Sequence, residues 1–254
     1  SAVPCEFVDP FQRGSGGSST QTPRLVVQCY DANVEVWCVQ DLMAPEENSS
    51  LTWEKARVLH RIIRGENRNR LIIAFGTAAS PSGAGNNGNV IIGTSVFVHD
   101  PYCAQPCGEK HWTDPRLNLI VASDAQKLFD QLPFSFVRAA EQRLLAPPNA
   151  AARLPRISAA SSLVAVGVVN VTKSADYKWT DEQAMRAFES ISGSTSAESL
   201  ETTHGVIRLV LDEPFLYVSG IANGIGQFAE HTLPNAYSQN FVAAHNAAIA
   251  VAWL

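Results

Sequence analysis

Three polar residues stand beside short apolar runs that read as buried strands: Thr77, Glu201 and Asn223. Their chemistry is complementary. A threonine hydroxyl beside free backbone N–H groups cradles an anion or a water. A carboxylate accepts from two neighbouring hydroxyls at once, whereas a carboxamide donates a hydrogen bond without being able to give up a proton. Tyr177 and Trp179 add ring faces for a flat ligand, with Asp176 and Lys173 as polar neighbours. Such a set suits a small polar molecule that carries a planar ring. Each residue also has a plain reading. Thr77 closes a strand-to-loop turn, Glu201 sits in the first turn of a helix where the dipole favours an acid, and Asn223-Gly224 is a turn pair. His99-Asp100 has the types of an acid/base pair but no evident place at such a site. No G-x-G-x-x-G, Walker, G-x-S-x-G or H-E-x-x-H pattern occurs. Cys103 and Cys107, near His99, Asp100 and His111, lack the second ligand pair of a structural zinc site, so no metal is expected.

The elements that position these residues follow from periodicity. Leu25–Val27 and Val34–Val39 read as strands, and Thr52–Ile63 as a helix with Ser50 before it. Leu71–Phe75 and Val90–Val98 read as buried strands around a Gly-, Ser- and Asn-rich loop. Asp124–Leu145 reads as a helix that Pro133 must break, and Pro147–Pro155 as a connector. Leu163–Val171 reads as a central strand, Thr172–Trp179 as a loop, and Thr180-Asp181-Glu182 as the cap of a helix to Phe188. A helix over Ser199–Leu211, a strand over Phe215–Ser219 and an Ala-rich helix over Ala236–Leu254 complete an α/β pattern with a largely parallel sheet. In such sheets ligands bind at the carboxyl ends of the strands, the places where Thr77, Tyr177 and Asn223 fall. Residues 1–23, rich in Gly and Ser, read as a flexible lead-in, and residues 24–254 as the domain.

The succession Gly76-Thr77-Ala78, Gly88-Asn89-Val90-Ile91-Ile92, Ser199-Leu200-Glu201-Thr202-Thr203 and Pro214 through Asn223 resembles the purine nucleoside and uridine phosphorylase superfamily, which also holds the adenosylhomocysteine and AMP nucleosidases. The resemblance covers residues 70–254. It implies a single three-layer α/β domain with a largely parallel, mixed central sheet. It also implies cleavage of the N-glycosidic bond of a purine nucleoside or related N-riboside, with transfer to phosphate. The alternatives are hydrolysis by water and a catalytically silent nucleoside-binding protein. By this resemblance Thr77 meets phosphate or the attacking water, Glu201 accepts from the ribose hydroxyls, and Leu200 packs under the sugar. Tyr177 stacks on the base with Asp176 close by, and His231 and Tyr237 fall near the ribose 5′ end. Asn223 stands where nucleosidases have an aspartate that protonates purine N7. The resemblance then implies a preference for 6-oxopurines, whose departure needs a hydrogen bond more than a proton. It implies no metal or organic cofactor, with phosphate a co-substrate only in the phosphorylase version, and a homo-oligomer. The first-strand loop, Gln28 through Glu35, departs from the family by having no glycine to hold phosphate; Asp31 and Glu35 are its only acids.

Composition excludes other classes. With 19 basic against 24 acidic residues the net charge is −5, which gives no electrostatic footprint for nucleic acid or anionic lipid. No apolar run reaches the roughly 20 residues that span a bilayer. The five cysteines, an odd number spread over residues 5 to 107, do not form a disulfide framework. The reading is a cytoplasmic protein with a small-molecule nucleoside as its ligand.

Overall fold

The computed structural model describes residues 5–9, 24–29, 32–37, 72–99, 119–121, 129–147, 153–165, 174–192, 197–201, 215–227 and 236–253. Two compact units divide the chain, residues 1–47 and 48–254. In the first, β1 (Cys5–Asp9), β2 (Arg24–Cys29) and β3 (Ala32–Trp37) form an antiparallel sheet in that order. A strand therefore stands at residues 5–9, inside the segment read as a lead-in. The register Cys29↔Ala32 shows why β2 and β3 pair with each other: two intervening residues can join only antiparallel neighbours, since a parallel crossover needs a dozen or more.

The second unit is built on β4 (Ile72–Ser80), β5 (Val90–His99), β6 (Leu119–Val121), β7 (Ile157–Ala165), β8 (Ser199–Glu201) and β9 (Phe215–Gly224). Its helices are α1 (Phe134–Glu141), α2 (Ser174–Ser192) and α3 (Ala236–Trp253). The sheet is mixed, in the order β6-β5-β7-β8-β4-β9, and its two long ladders, β4 with β9 and β5 with β7, are parallel. It also closes on itself. Val90–Ile92 of β5 pair antiparallel with Val218–Gly220 of β9, so β5, β7, β8, β4 and β9 form a barrel that an open three-layer arrangement does not have. β6 occupies the remaining part of the same β5 edge, at Ser95–Phe97.

Strand alternation then sorts the core into an inside and an outside. Val90, Ile92, Leu216 and Val218 face outward against Ala247 and Ala250 of α3 and Ala140 of α1. Phe97, Leu163 and Leu200 face outward against Ala184 and Phe188 of α2. Ile91, Ala78 and Ile221, with Ala160, fill the interior. The alanines of α3 permit a close approach to β9: a Cβ at Gly220 would lie 1.9 Å from the Ala243 carbonyl oxygen. Asn246, on the same helix, is fully buried. Its amide donates to the carbonyls of Gly88 (2.7 Å) and Leu145 (2.9 Å), while its Oδ1 accepts from the Leu145 N–H (2.8 Å).

Several boundaries differ from the sequence expectation. β4 continues through Gly76-Thr77-Ala78 to Ser80, and β9 through Ile221-Ala222-Asn223 to Gly224, because each strand offers the other a continuous ladder. β7 starts at Ile157, six residues before the expected strand, where Glu141 accepts the Ile157 N–H (3.1 Å) and Arg156 C=O accepts the Val90 N–H (2.8 Å). Ser174–Trp179 is the start of α2 instead of a loop, and Ser199–Glu201 is strand instead of helix. Pro133 breaks the helical stretch as expected and stands at the N-cap of α1, where its missing N–H costs nothing. The expected helix at Thr52–Ile63 lies outside the described residues, as do Cys103, Cys107 and His111. Among the described residues no helix is long and apolar enough to cross a membrane.

Candidate functional site

Ala79 of β4 pairs with Asn223 on one edge and with Leu200 on the other. The three segments that bear Thr77, Glu201 and Asn223 are thereby side by side, toward the carboxyl ends of β4 and β9, the end at which α/β sheets bind ligands. Their side chains are not all turned the same way. Leu200 and Glu201 are successive residues of a strand and leave it on opposite faces. Leu200 is buried against Leu163, Ala184 and Phe188, so it is core under α2 and does not share a face with Glu201. Glu201, 5% exposed, points into the barrel toward the Tyr217 hydroxyl, which also meets Ser199 and Ser219. Ser199 Oγ in turn donates to Ser162 Oγ at 2.7 Å. Burial, and after it the Glu201 charge, pushes the Tyr217 phenol well above its ordinary range. The carboxylate thus meets Tyr217, which joins it to a buried cluster of Ser199, Ser219 and, through Ser199, Ser162.

Thr77 is half-buried inside β4, level with Gly220 of β9. Ala78 fills the barrel interior, so Thr77 leaves β4 on the other side, the one that faces α3, and does not share a face with Glu201; the free backbone cradle expected around it is absorbed by the ladder. A bulge at Ala222 brings Asn223, and not Ala222, opposite Ala79. Asn223 is buried in extended strand and its Nδ2 donates to the Gly224 carbonyl at 2.8 Å. The turn reading of Asn223-Gly224 is therefore displaced by two residues: the left-handed residue is Gly226, with φ +72°. Tyr177 and Asp176 lie in the first turns of α2, their side chains outside the description; Trp179 follows them and is partly exposed. His231 and Asp31 lie outside the described residues, and Glu35 belongs to β3 in the first unit.

Sequence reasoning passed over two residues. Tyr217 shares its strand face with Ser219 and Ile221, a period that was legible once β9 was known to run so far. Asp181 reads in the sequence as part of a helix cap. It is instead in the middle of α2, on the stripe that continues through Ala184, Met185 and Phe188 into the core, and is 5% exposed. Its Oδ1 has no hydrogen-bond partner. Burial first and the adjacent Glu182 second push its carboxyl up to about 7 from 3.8.

The folded state therefore binds a proton at Asp181 that the unfolded chain releases, and stability falls as pH rises from about 4 to 7, the full cost standing above that window. Replacing Asp181 by asparagine removes the cost. At pH 8 the variant should be more stable than the wild type by roughly 2–4 kcal/mol, and at pH 4 nearly equal to it. Urea denaturation at the two pH values measures this; equal gains at both would mean that the carboxyl is not the cause.

The sequence matches no known family model and no curated protein. Solved structures do resemble the fold. The 5′-methylthioadenosine/S-adenosylhomocysteine nucleosidase of Campylobacter jejuni superposes with a TM-score of 0.54 over 98% of this chain and 89% of its own, at 12% identity. The Neisseria meningitidis nucleosidase of the same name, in complex with methylthio-immucillin-A, gives 0.52 over 96% and 89%, at 16% identity. The native futalosine hydrolase of Helicobacter pylori gives 0.52 over 99% and 88%, at 11%. The fold of this chain is thus similar to that of these nucleosidases and of futalosine hydrolase, in keeping with the resemblance that the order of its strand-end motifs carries.

Proposed function

We propose that the protein hydrolyses the N-glycosidic bond of a purine nucleoside or related N-riboside. The observation that carries the reading is Glu201, a buried carboxylate on the strand next to the one bearing Thr77, near the carboxyl ends of the paired strands of a nucleosidase fold. Water as acceptor is favoured over phosphate because the similar structures are named as nucleosidases and a hydrolase, and because the Gln28–Glu35 stretch has no glycine to wrap an anion. In this reading the ribose diol donates to Glu201, whose negative charge stabilises the ring as it becomes oxocarbenium-like. Tyr177 and Trp179 flank the base, and Asn223 contributes its remaining amide hydrogen. Leu200 has a structural role only. The assembly is a homo-oligomer, which light scattering tests.

The test is release of free base from inosine, guanosine, adenosine and 5′-methylthioadenosine, with and without phosphate. Release independent of phosphate, accompanied by free ribose or its 5′-substituted form, is the expected result. A requirement for phosphate, with ribose 1-phosphate as product, would establish phosphorolysis instead. Binding without turnover would identify a silent member.

A further inference from the structure

Inside the barrel the ring of Tyr217 lies across the bare backbone of Gly93 on β5. A Cβ at Gly93 would stand 2.7 Å from Tyr217 Cδ1 and 3.3 Å from both Tyr217 Cβ and Ser162 Oγ, too close to the ring for it to keep its place. Only glycine leaves that seat open. The register sets the height of the ring by both ways round the barrel. On β4, Tyr217 pairs with Ala74, whereas Leu200, the neighbour of Glu201, pairs with Ala79. On β7, Gly93 pairs with Ala160, whereas Glu201 pairs with Val164. Tyr217 thus starts nearer the amino-terminal ends of these parallel strands than Glu201 does. Its hydroxyl reaches the carboxylate from the side opposite to the carboxyl ends, where α/β sheets bind ligands.

Tyr217 is 0% exposed, and its hydroxyl meets Glu201, Ser199 and Ser219. A serine hydroxyl donates as well as accepts, whereas a carboxylate only accepts. The single phenol proton therefore goes to Glu201, and the phenol oxygen is left to accept from a serine. Ser199, which donates to Ser162 Oγ at 2.7 Å, ties the group to β7. Among the described residues of the five barrel strands, the one other titratable side chain is His99. Its ring stacks on Phe97, which packs outward under α2. The donor that these strands supply to the carboxylate is thus a neutral phenol and not a cation.

From this arrangement we infer that Tyr217 is the positioning residue of the site: its hydroxyl holds one oxygen of Glu201 and so presents the other acceptor positions to the sugar. The inference rests on the nucleosidase reading, in which the ribose diol donates to Glu201. A glutamate side chain turns about several bonds, and two neighbouring hydroxyls meet its carboxylate together only in a narrow range of orientations. A phenol held rigid by Gly93, Ser199 and Ser219 selects that range before the ligand arrives. Tyr217 itself, fully buried, acts through Glu201 and touches no substrate.

The experiment measures kcat and KM for a ribonucleoside and its 2′-deoxy counterpart in wild type, Tyr217→Phe, Glu201→Gln and the double variant. Phenylalanine keeps the ring over Gly93 and removes only the hydroxyl. On the ribonucleoside Tyr217→Phe should lose about 10–100-fold in kcat/KM, the worth of one hydrogen bond to a charged group, and its loss on the 2′-deoxynucleoside should be clearly smaller. In the Glu201→Gln protein the same change should cost less than about threefold, because the charge that the phenol holds is already gone. Gly93→Ala approaches from the other side, since it keeps the hydroxyl and pushes the ring off its seat. It should reproduce the loss in the protein that has Tyr217 and add less than about threefold to Tyr217→Phe. Unchanged kinetics in Tyr217→Phe, equal losses on the two substrates, or full additivity with Glu201→Gln would overturn the role of Tyr217 while leaving the hydrolase reading intact. A wild type that cleaves no nucleoside would overturn that reading and this one together.

Discussion

Glu201→Gln should reduce kcat/KM for a ribonucleoside by about 10²–10⁴-fold while leaving the melting temperature close to that of the wild type. The amide keeps an oxygen that accepts from Tyr217, so the buried cluster around it survives. What it loses is the charge and the ability to accept from two hydroxyls. Two hydrogen bonds to a charged group, at about 1.5–3 kcal/mol each, set the size of the effect, with some of it recovered by the amide. The loss should be much smaller for the 2′-deoxynucleoside, which has already given up one of the two bonds. Steady-state kinetics on the matched pair of substrates measures both losses. A loss of equal size on the two would mean that Glu201 does not hold the sugar, and unchanged kinetics would remove it from the site altogether.

Asn246→Ala should destabilise the protein by about 3–5 kcal/mol, a large fraction of the stability of an ordinary domain. The side chain ties α3 to the turn that precedes β5, through Gly88, and to the end of the α1 segment, through Leu145. Alanine leaves two carbonyls and an N–H without partners in a place that the structure buries. Neither tie involves the barrel interior, so residual activity per folded molecule should be near that of the wild type at low temperature. Urea denaturation followed by circular dichroism gives the first quantity and active-site titration the second. A loss under about 1 kcal/mol would mean that water replaces the amide without cost.

The sequence determined those features that depend on residues near one another. The Ala-rich run beginning at Ala236 can only be a helix able to lie close on a sheet, and α3 does so at Gly220. Pro133 broke its helical stretch where its ring and missing N–H required. The alternation in Val90–Val98 made a strand, and the order of the strand-end motifs pointed to the fold that the similar solved structures share. Even the start of α2 was present in principle, as Ser174 followed by Asp176, types that favour a helix N-terminus, though a preceding Lys and the aromatic pair read more readily as loop. What the tertiary structure alone decided is everything that needs a partner distant in the chain. Ile157–Ser162, poor in β-formers, is strand because β5 pairs along one edge of it, with β8 joining the other edge only from Ser162. Closure of the barrel depends on β9 meeting β5, more than a hundred residues away in sequence, and no local pattern encodes it. The same holds for the acids. Glu201 and Asp181 are identical in kind to the solvated acids elsewhere in the chain. Only the elements folded over them remove the water, aiming one carboxylate at Tyr217 and leaving the other with a raised affinity for its proton and one oxygen without a partner.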